Sequence, residues 1–153
     1  MKSLTRKYQN ASVISLCQGF ALLPLTEELF DELAAMKNNQ QEVRDEQFFY
    51  LCSRTIEAGK LFSLQTPIAY VETDYFGGVG TQGSVVWVSG ELIFGPVVTA
   101  EQGTLVGDRS EYAINAALRR IGATKENCLD EFEAIGLDAR RSNDDWIKKQ
   151  RDL

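Results

Sequence analysis

The chain contains no histidine, and this absence removes several kinds of site at once. Serine and cysteine nucleophiles that depend on a histidine base are excluded, and metal ions lose their commonest nitrogen ligand. Chemistry based on lysine or on carboxylates remains open. Cysteine is also scarce: Cys17, Cys52 and Cys128 are odd in number, far apart and without a C-x-x-C motif. We therefore expect three free thiols in a reducing compartment, and no disulfide framework or zinc site.

Long apolar runs are lacking as well. No segment approaches the roughly 20 apolar residues that a membrane span needs. The run Ala11–Leu25 follows three basic residues and superficially resembles a signal peptide, but Gln18 interrupts it and no small-x-small cleavage site is evident. We expect a cytoplasmic protein that does not associate with membranes.

Positive charge is missing from the middle of the chain. No Lys or Arg lies between Lys60 and Arg109, whereas Glu72, Asp74, Glu91, Glu101 and Asp108 fall in that interval. The net charge of the 153 residues is -6, with a pI near 4.7, which disfavours non-specific binding to nucleic acid. Either solubility or a basic partner explains the acidic balance.

The length indicates one domain, residues 1–153, able to bury an ordinary core. Its densest strand and turn signal is Pro67–Pro96. We predict three antiparallel strands there, with a glycine-rich connection and a two-residue hairpin turn: Ile68–Tyr75, Gly77–Gly83, Val85–Val88, Ser89-Gly90 and Glu91–Phe94. The predicted fold class is α+β, a central antiparallel sheet with N-terminal and C-terminal helices packed around it.

Capping and breaking residues place the other elements. We predict strands at Ala11–Cys17 and Gly19–Leu23, and a helix capped by Thr26. A second helix is predicted from about Glu42 to Ala58 with Phe48 and Phe49 inward, and Gly95-Pro96 is expected to break the third central strand. We expect the second helix to end at Gly59. Two further helices are predicted, from Asp108 to Gly122 and from Thr124 to Gly136, the latter with Leu129 inward.

The glycines match known phosphate-binding strings. Gly78-x-Gly80-x-x-Gly83 has the dinucleotide spacing, but that site needs a following helix, and the strand Ser84–Val88 follows here. The string also fits a kinase glycine loop, but no other kinase motif is present. We prefer a structural connection that needs positive φ, and we predict no cofactor, no metal, no catalytic residue and no enzymatic activity.

Two acidic groups are candidate sites. Glu72 and Asp74 are two residues apart on a strand and share one face, where they could perform acid–base chemistry, bind a cation, meet a basic partner or simply be solvated. The second group is either a solvated helix face or a contact surface: Glu126, Asp130, Glu131, Glu133 and Asp138.

The segment AYVETDYFGGVGTQGSVVW, Ala69–Trp87, resembles a family of small bacterial proteins with an AYVE-x-x-YFGG-x-G-x-Q-x-x-x-x-W core. The similarity continues through Ile114-Asn115-x-Ala117-Leu118, Asp130-Glu131-Phe132, Gly136-Leu137 and Asp145-Trp146, and so covers roughly the second half of the chain. Such proteins are associated with immunity partners of bacterial toxins, including those of contact-dependent growth inhibition.

The resemblance implies an immunity protein that neutralises a cognate toxin domain by occlusion, and a basic nuclease suits the acidic charge. The partner-binding residues we predict are Tyr70, Glu72, Asp74, Tyr75, Phe76, Glu126, Asp130, Glu131 and Glu133. The alternative is a small-ligand-binding or enzymatic domain with a pocket at the Phe76–Gln82 loop and Glu72 or Asp74 as its polar group.

Overall fold

A computed structural model describes residues 7–35, 45–76, 79–101 and 109–151. The predicted α+β class is confirmed: an antiparallel sheet of order β3-β4-β5 is accompanied by helices and by a two-stranded ribbon, β1-β2. The strands are β1 Ile14–Ser15, β2 Ala21–Leu22, β3 Ile68–Phe76, β4 Val79–Val88 and β5 Glu91–Glu101. The helices are α1 Glu27–Ala35, α2 Ser53–Ser63, α3 Ala113–Arg120, α4 Glu131–Ala134 and α5 Asn143–Arg151.

Helices cover both faces of the three-stranded sheet. Alternate side chains of each strand point to opposite sides, so each face has its own set of apolar residues to bury. On one side, which we call the first face, Trp87 of β4 packs with Phe48, Leu51 and Ile56. On the opposite side, the second face, Val71 of β3 packs with α3. Ser84 also faces α3, where its hydroxyl donates to the carbonyl of Ala113 at 2.6 Å. No helix among the described residues is both long and apolar enough to cross a membrane.

Helix α2 begins much later than the predicted second helix. Residues 45–52 are irregular, and the predicted positions 42–44 lie outside the described residues. The helix begins at Ser53 because the Thr55 hydroxyl accepts the Cys52 backbone N–H at 2.9 Å, which caps the first turn. Phe48 is buried as predicted, but the inward placement of Phe49 is wrong, since 59% of that residue is exposed.

Gly59 is not the end of a helix, as we predicted, but lies inside α2. A Cβ atom at this position would stand 2.6 Å from two ring carbons of the buried Trp87. Glycine therefore allows the helix to rest directly on the indole, and this close approach outweighs its poor helix propensity.

The predicted glycine-rich connection is wrong for residues Val79–Gly83, which belong to β4 and pair with Glu72–Phe76. Gly77 and Gly78 lie outside the described residues. A side chain at Gly80 would collide with the Asp74 carbonyl and the Tyr75 ring, and one at Gly83 would collide with Phe48. These two glycines serve close packing and not positive φ.

The Ser89-Gly90 hairpin turn is confirmed, with φ of 52° and 85° at its two residues. The predicted break at Gly95-Pro96 is wrong, because β5 continues through these residues to Glu101. Gly95 has a φ of 83°, and the pairing of β4 with β5 shifts register between Ser84 and Val86. The irregularity therefore bends the strand without ending it.

The predicted N-terminal elements are correct in kind but shorter than expected. A 3-10 turn, Cys17–Gly19, separates β1 from β2, and each of these strands has two residues. The Thr26 cap is confirmed, since its hydroxyl accepts the backbone N–H of Leu29 at 3.3 Å.

The C-terminal boundaries are partly wrong. Asp130, and not Thr124, caps the helix that precedes Gly136, and Leu129 is 66% exposed instead of inward. The end of α3 before Gly122 is confirmed, with a φ of 99° at that glycine. The predicted cap Asp108 lies outside the described residues.

Candidate functional site

The β3–β4 hairpin becomes exposed as it leaves the helices. Burial along β3 falls steadily toward Phe76, which is 91% exposed. Val79 stands opposite Phe76 in the register and is also exposed. We call Asp74–Phe76 and Val79–Thr81 together the hairpin end. An aromatic ring displayed so fully on a strand costs hydrophobic free energy unless something covers it.

Asp74 supplies negative charge beside this ring. It pairs with Thr81 in the register, so it shares the first face with Phe76 and Val79. Within the described part of the chain, no hydrogen bond or ion pair engages its exposed carboxylate. The hairpin end therefore joins an apolar group to an exposed carboxylate.

Glu72 lies on the same face but is engaged internally. Its carboxylate accepts the backbone N–H groups of Phe49 at 2.7 Å and of Tyr50 at 2.8 Å. The hydroxyl of Tyr70 donates to the same carboxylate. Burial, followed by this hydrogen bond to Glu72, raises the pKa of Tyr70 above its ordinary value. Glu72 and Tyr70, both predicted partner-binding residues, thus make hydrogen bonds within the fold. These bonds hold the backbone of Phe49 and Tyr50 against β3.

Tyr75, another predicted contact residue, points to the second face. Its hydroxyl accepts a hydrogen bond from the Gln82 side-chain amide at 2.7 Å, and the residue is partly exposed. Within the hairpin end, its side chain therefore lies on the side of the sheet opposite Asp74 and Phe76.

Residues 47–49 form a wall of the site that our sequence interpretation missed. A shallow, open pocket with room for about one water molecule lies between this segment and the hairpin. Its lining residues are Gln47, Phe48, Phe49, Glu72, Thr73, Asp74, Thr81 and Gly83. The available signal was the run Phe48-Phe49-Tyr50, because three consecutive aromatic residues cannot all point to one face of a helix.

The second acidic group is largely used inside the fold. Asp130 accepts the backbone N–H of Glu133 at 2.9 Å and pairs with Arg109 at 3.6 Å. The buried carboxylate of Glu131 pairs with Arg119 at 3.1 Å.

Two further members of this acidic group are placed differently. Glu133 accepts the Leu129 backbone N–H at 2.7 Å, whereas Glu126 is exposed. Helix α4 packs on α3, which covers the second face. The structure therefore does not bring this group together with Asp74 and Phe76.

Metal and thiol chemistry have little support at these positions. No group of three or more His, Cys, Asp or Glu side chains in the described ranges is arranged to hold a metal ion. The three cysteines are unpaired; Cys17 is exposed, Cys52 is buried and Cys128 is half-buried. Burial and the neighbouring carboxylates, led by Glu133, raise the pKa of Cys128, which disfavours its thiolate.

The fold and the surface together define a small α+β protein with an aromatic and acidic hairpin end. Comparison with protein-family models, with curated proteins and with solved structures finds no match to this chain. We therefore infer function from the surface itself and from the sequence resemblance.

Proposed function

We propose that the protein is a cytoplasmic immunity protein that binds and neutralises a cognate bacterial toxin domain. It acts by stoichiometric occlusion of the toxin, without chemistry of its own. The observation that carries the proposal is the hairpin end, where the 91% exposed Phe76 shares a face with the exposed carboxylate of Asp74. Aromatic residues that enter a partner's pocket dominate the energy of many protein interfaces.

Charge favours a basic toxin, and a nuclease in particular. Nucleases need cationic surfaces to hold phosphates, and an inhibitor of opposite charge gains association rate and specificity. The chain carries a net charge of -6, and the interval between Lys60 and Arg109 that contains the hairpin has no cationic residue. The hairpin end thus contributes no positive charge of its own that would repel a basic surface.

The energy available at this surface suits protein recognition. Covering an exposed Phe side chain contributes about 1.5–3 kcal/mol, and Val79 adds apolar area next to Phe76. Asp74 at the edge of this apolar pair mainly raises the association rate if it stays solvated. If binding removes its water and pairs it with a cation, Asp74 also contributes to affinity. An apolar centre with a charged margin is the usual organisation of a protein interface.

The alternative of a small-ligand-binding or enzymatic domain has less support. The open pocket between residues 47–49 and the hairpin has room for about one water molecule, far less than the roughly 300–1,000 Å³ that is usual for small-molecule sites. Of its two carboxylates, that of Glu72 is committed to Phe49, Tyr50 and Tyr70. The predicted loop Phe76–Gln82 consists of strand residues, apart from Gly77 and Gly78, which lie outside the described residues.

Growth rescue tests the proposal. Each protein domain encoded immediately beside this gene is induced in turn in a sensitive bacterium, with and without the protein. We expect the wild type to restore growth and Phe76→Ala to restore it poorly. Leu129→Ala is the matched control, because Leu129 is similarly exposed, at 66%, but lies beside α4. Failure of the wild type to protect would refute the proposed function, and full protection by Phe76→Ala would refute the hairpin end as the interface.

A further inference from the structure

Strand β3 lies at an edge of the three-stranded sheet, and its last four residues are exposed on both faces. The sheet order places β4 on one side of β3, and no strand of the described ranges pairs with its other, outer side. Within those ranges no backbone hydrogen bond reaches Thr73, Asp74 or Phe76 from the outer side. An edge strand of this kind presents alternate N–H and C=O groups that can pair with a further strand.

The other edge strand, β5, is less suited to such pairing. Its middle contains Gly95, with a φ of 83°, and the pairing of β5 with β4 shifts register at this point. Pro96, which follows, has no N–H to donate, and proteins commonly use such irregularities to prevent edge pairing. Strand β3, in contrast, pairs with β4 without a register shift from Ile68 to Phe76. A further strand is therefore expected at β3 and not at β5.

The exposure of Phe76 fits a strand that has a neighbour on one side only. On the first face, Val79 of β4 stands beside Phe76 and Thr81 stands beside Asp74. On their outer side, the described part of the chain places no strand next to these two residues. An added strand would put its own side chains there and would cover part of the Phe76 side chain, which is 91% exposed.

Charge decides which strand fits. Glu72 and Asp74 share the first face, and β3, β4 and β5 contain no Lys or Arg. Opposite charges on neighbouring strands stabilise a sheet, whereas like charges directly opposite each other destabilise it. Antiparallel pairing of two copies of β3 would bring the carboxylates of both copies to one face of the joined sheet, so charge disfavours a second copy. A strand with basic side chains on that face is attracted instead.

We propose that the outer edge of β3 at Thr73–Phe76 binds an extended, basic segment of the partner protein as a fourth strand of the sheet. Backbone hydrogen bonds attach the segment, while Asp74 and Phe76 favour basic and apolar side chains beside them. The inference rests on the proposed function, because the basic toxin domain is the source of the segment. It adds backbone pairing to the side-chain contacts of the hairpin end.

A peptide titration tests this edge without the toxin. The full-length protein, labelled with ¹⁵N, is titrated with the acetylated and amidated peptide Lys-Val-Lys-Val-Lys-Val, whose lysines share one face when it is extended. NMR follows the shifts and the exchange rates of the backbone amides. We expect weak binding, with the largest shifts and slower exchange within Thr73–Phe76 and no slowing along β5.

Two control peptides separate strand addition from simple charge attraction. The same peptide with every backbone nitrogen methylated keeps its charge and side chains but has no N–H donors. We expect its affinity to be at least about tenfold lower, because several backbone hydrogen bonds are lost. The peptide Glu-Val-Glu-Val-Glu-Val keeps the donors but reverses the charge, and it should bind at least about fivefold more weakly.

One variant of the protein assigns the charge contact. Asp74→Asn should weaken binding of the lysine peptide by about two- to fivefold and leave the spectrum otherwise unchanged. Glu91→Gln is the matched control, because Glu91 is an exposed carboxylate at the start of β5, and this variant should bind like the wild type.

The opposite results overturn the inference. Absence of binding, equal binding of the methylated peptide, or unchanged exchange within Thr73–Phe76 would each exclude strand addition at β3. Slower exchange there in the protein alone as its concentration rises would identify a second copy as the occupant and refute a partner segment. The proposed function fails separately, when the wild type does not rescue growth. Rescue without strand addition would refute only this inference, and strand addition without rescue would refute only the toxin partner.

Discussion

Replacing Glu72 with alanine tests the claim that this residue supports the surface instead of contacting a partner. The substitution removes the acceptor for the Tyr70 hydroxyl and for the backbone N–H groups of Phe49 and Tyr50. Leaving the half-buried Tyr70 hydroxyl without its acceptor costs about 1–3 kcal/mol of stability. Each of the two backbone amides lies in an exposed segment that water can reach, so the loss of its hydrogen bond costs about 0.5–1 kcal/mol. We expect the free energy of unfolding to fall by about 2–5 kcal/mol in total.

Urea unfolding with an unchanged slope is the appropriate assay, since a shift of the midpoint then reports stability alone. Asp74→Ala is the matched control and should stay within about 0.5 kcal/mol of the wild type, because nothing in the described residues engages Asp74. Adding Tyr70→Phe to Glu72→Ala should recover part of the loss by removing the orphaned hydroxyl. A midpoint for Glu72→Ala equal to that of Asp74→Ala would refute the reasoning.

Two further predictions concern the core. Because burial raises the pKa of Tyr70 in the folded state, its contribution to stability is complete below the ordinary tyrosine pKa near 10 and is lost as pH rises above it. Unfolding measured between pH 8 and pH 11 should therefore show a steeper alkaline loss for the wild type than for Tyr70→Phe, and equal slopes would contradict this. Gly59→Ala should lower the melting temperature by overpacking against Trp87, with a cost of about 1–3 kcal/mol that exceeds the helix-propensity gain of about 1 kcal/mol. An unchanged or higher melting temperature would show that α2 shifts freely.

The features predicted correctly are those specified by neighbouring residues. The alternation along Ile68–Phe76, the Ser89-Gly90 turn and the Thr26 cap each depend on a few adjacent positions, so the α+β class and the hairpins follow from the sequence. The wrongly predicted features depend on distant contacts. Gly59 is set by Trp87 and Gly83 by Phe48, and a single sequence does not reveal either contact.

In the candidate site, too, the features set by neighbouring residues were predicted and those set by distant contacts were missed. The strand alternation correctly put Glu72 and Asp74 on one face, whereas Phe76, which we expected in the connecting loop, continues the strand on that face. It did not show that Glu72 is occupied, because the amide donors come from Phe49 and Tyr50, more than twenty residues earlier in the chain. Because we predicted a helix through this segment, we missed both the amide donors and the exposed Phe49, which lines the pocket.

The most direct test of the central claim is a calorimetric titration of the protein with the toxin domain against which it protects cells, at two salt concentrations. We expect a one-to-one complex whose affinity falls as salt rises and falls further in Phe76→Ala and Asp74→Ala. The helix-start variant Glu27→Ala/Glu28→Ala should bind like the wild type, because those acids lie in the first turn of α1. Absence of a complex, or an affinity that ignores both salt and the two hairpin-end substitutions, would contradict the account.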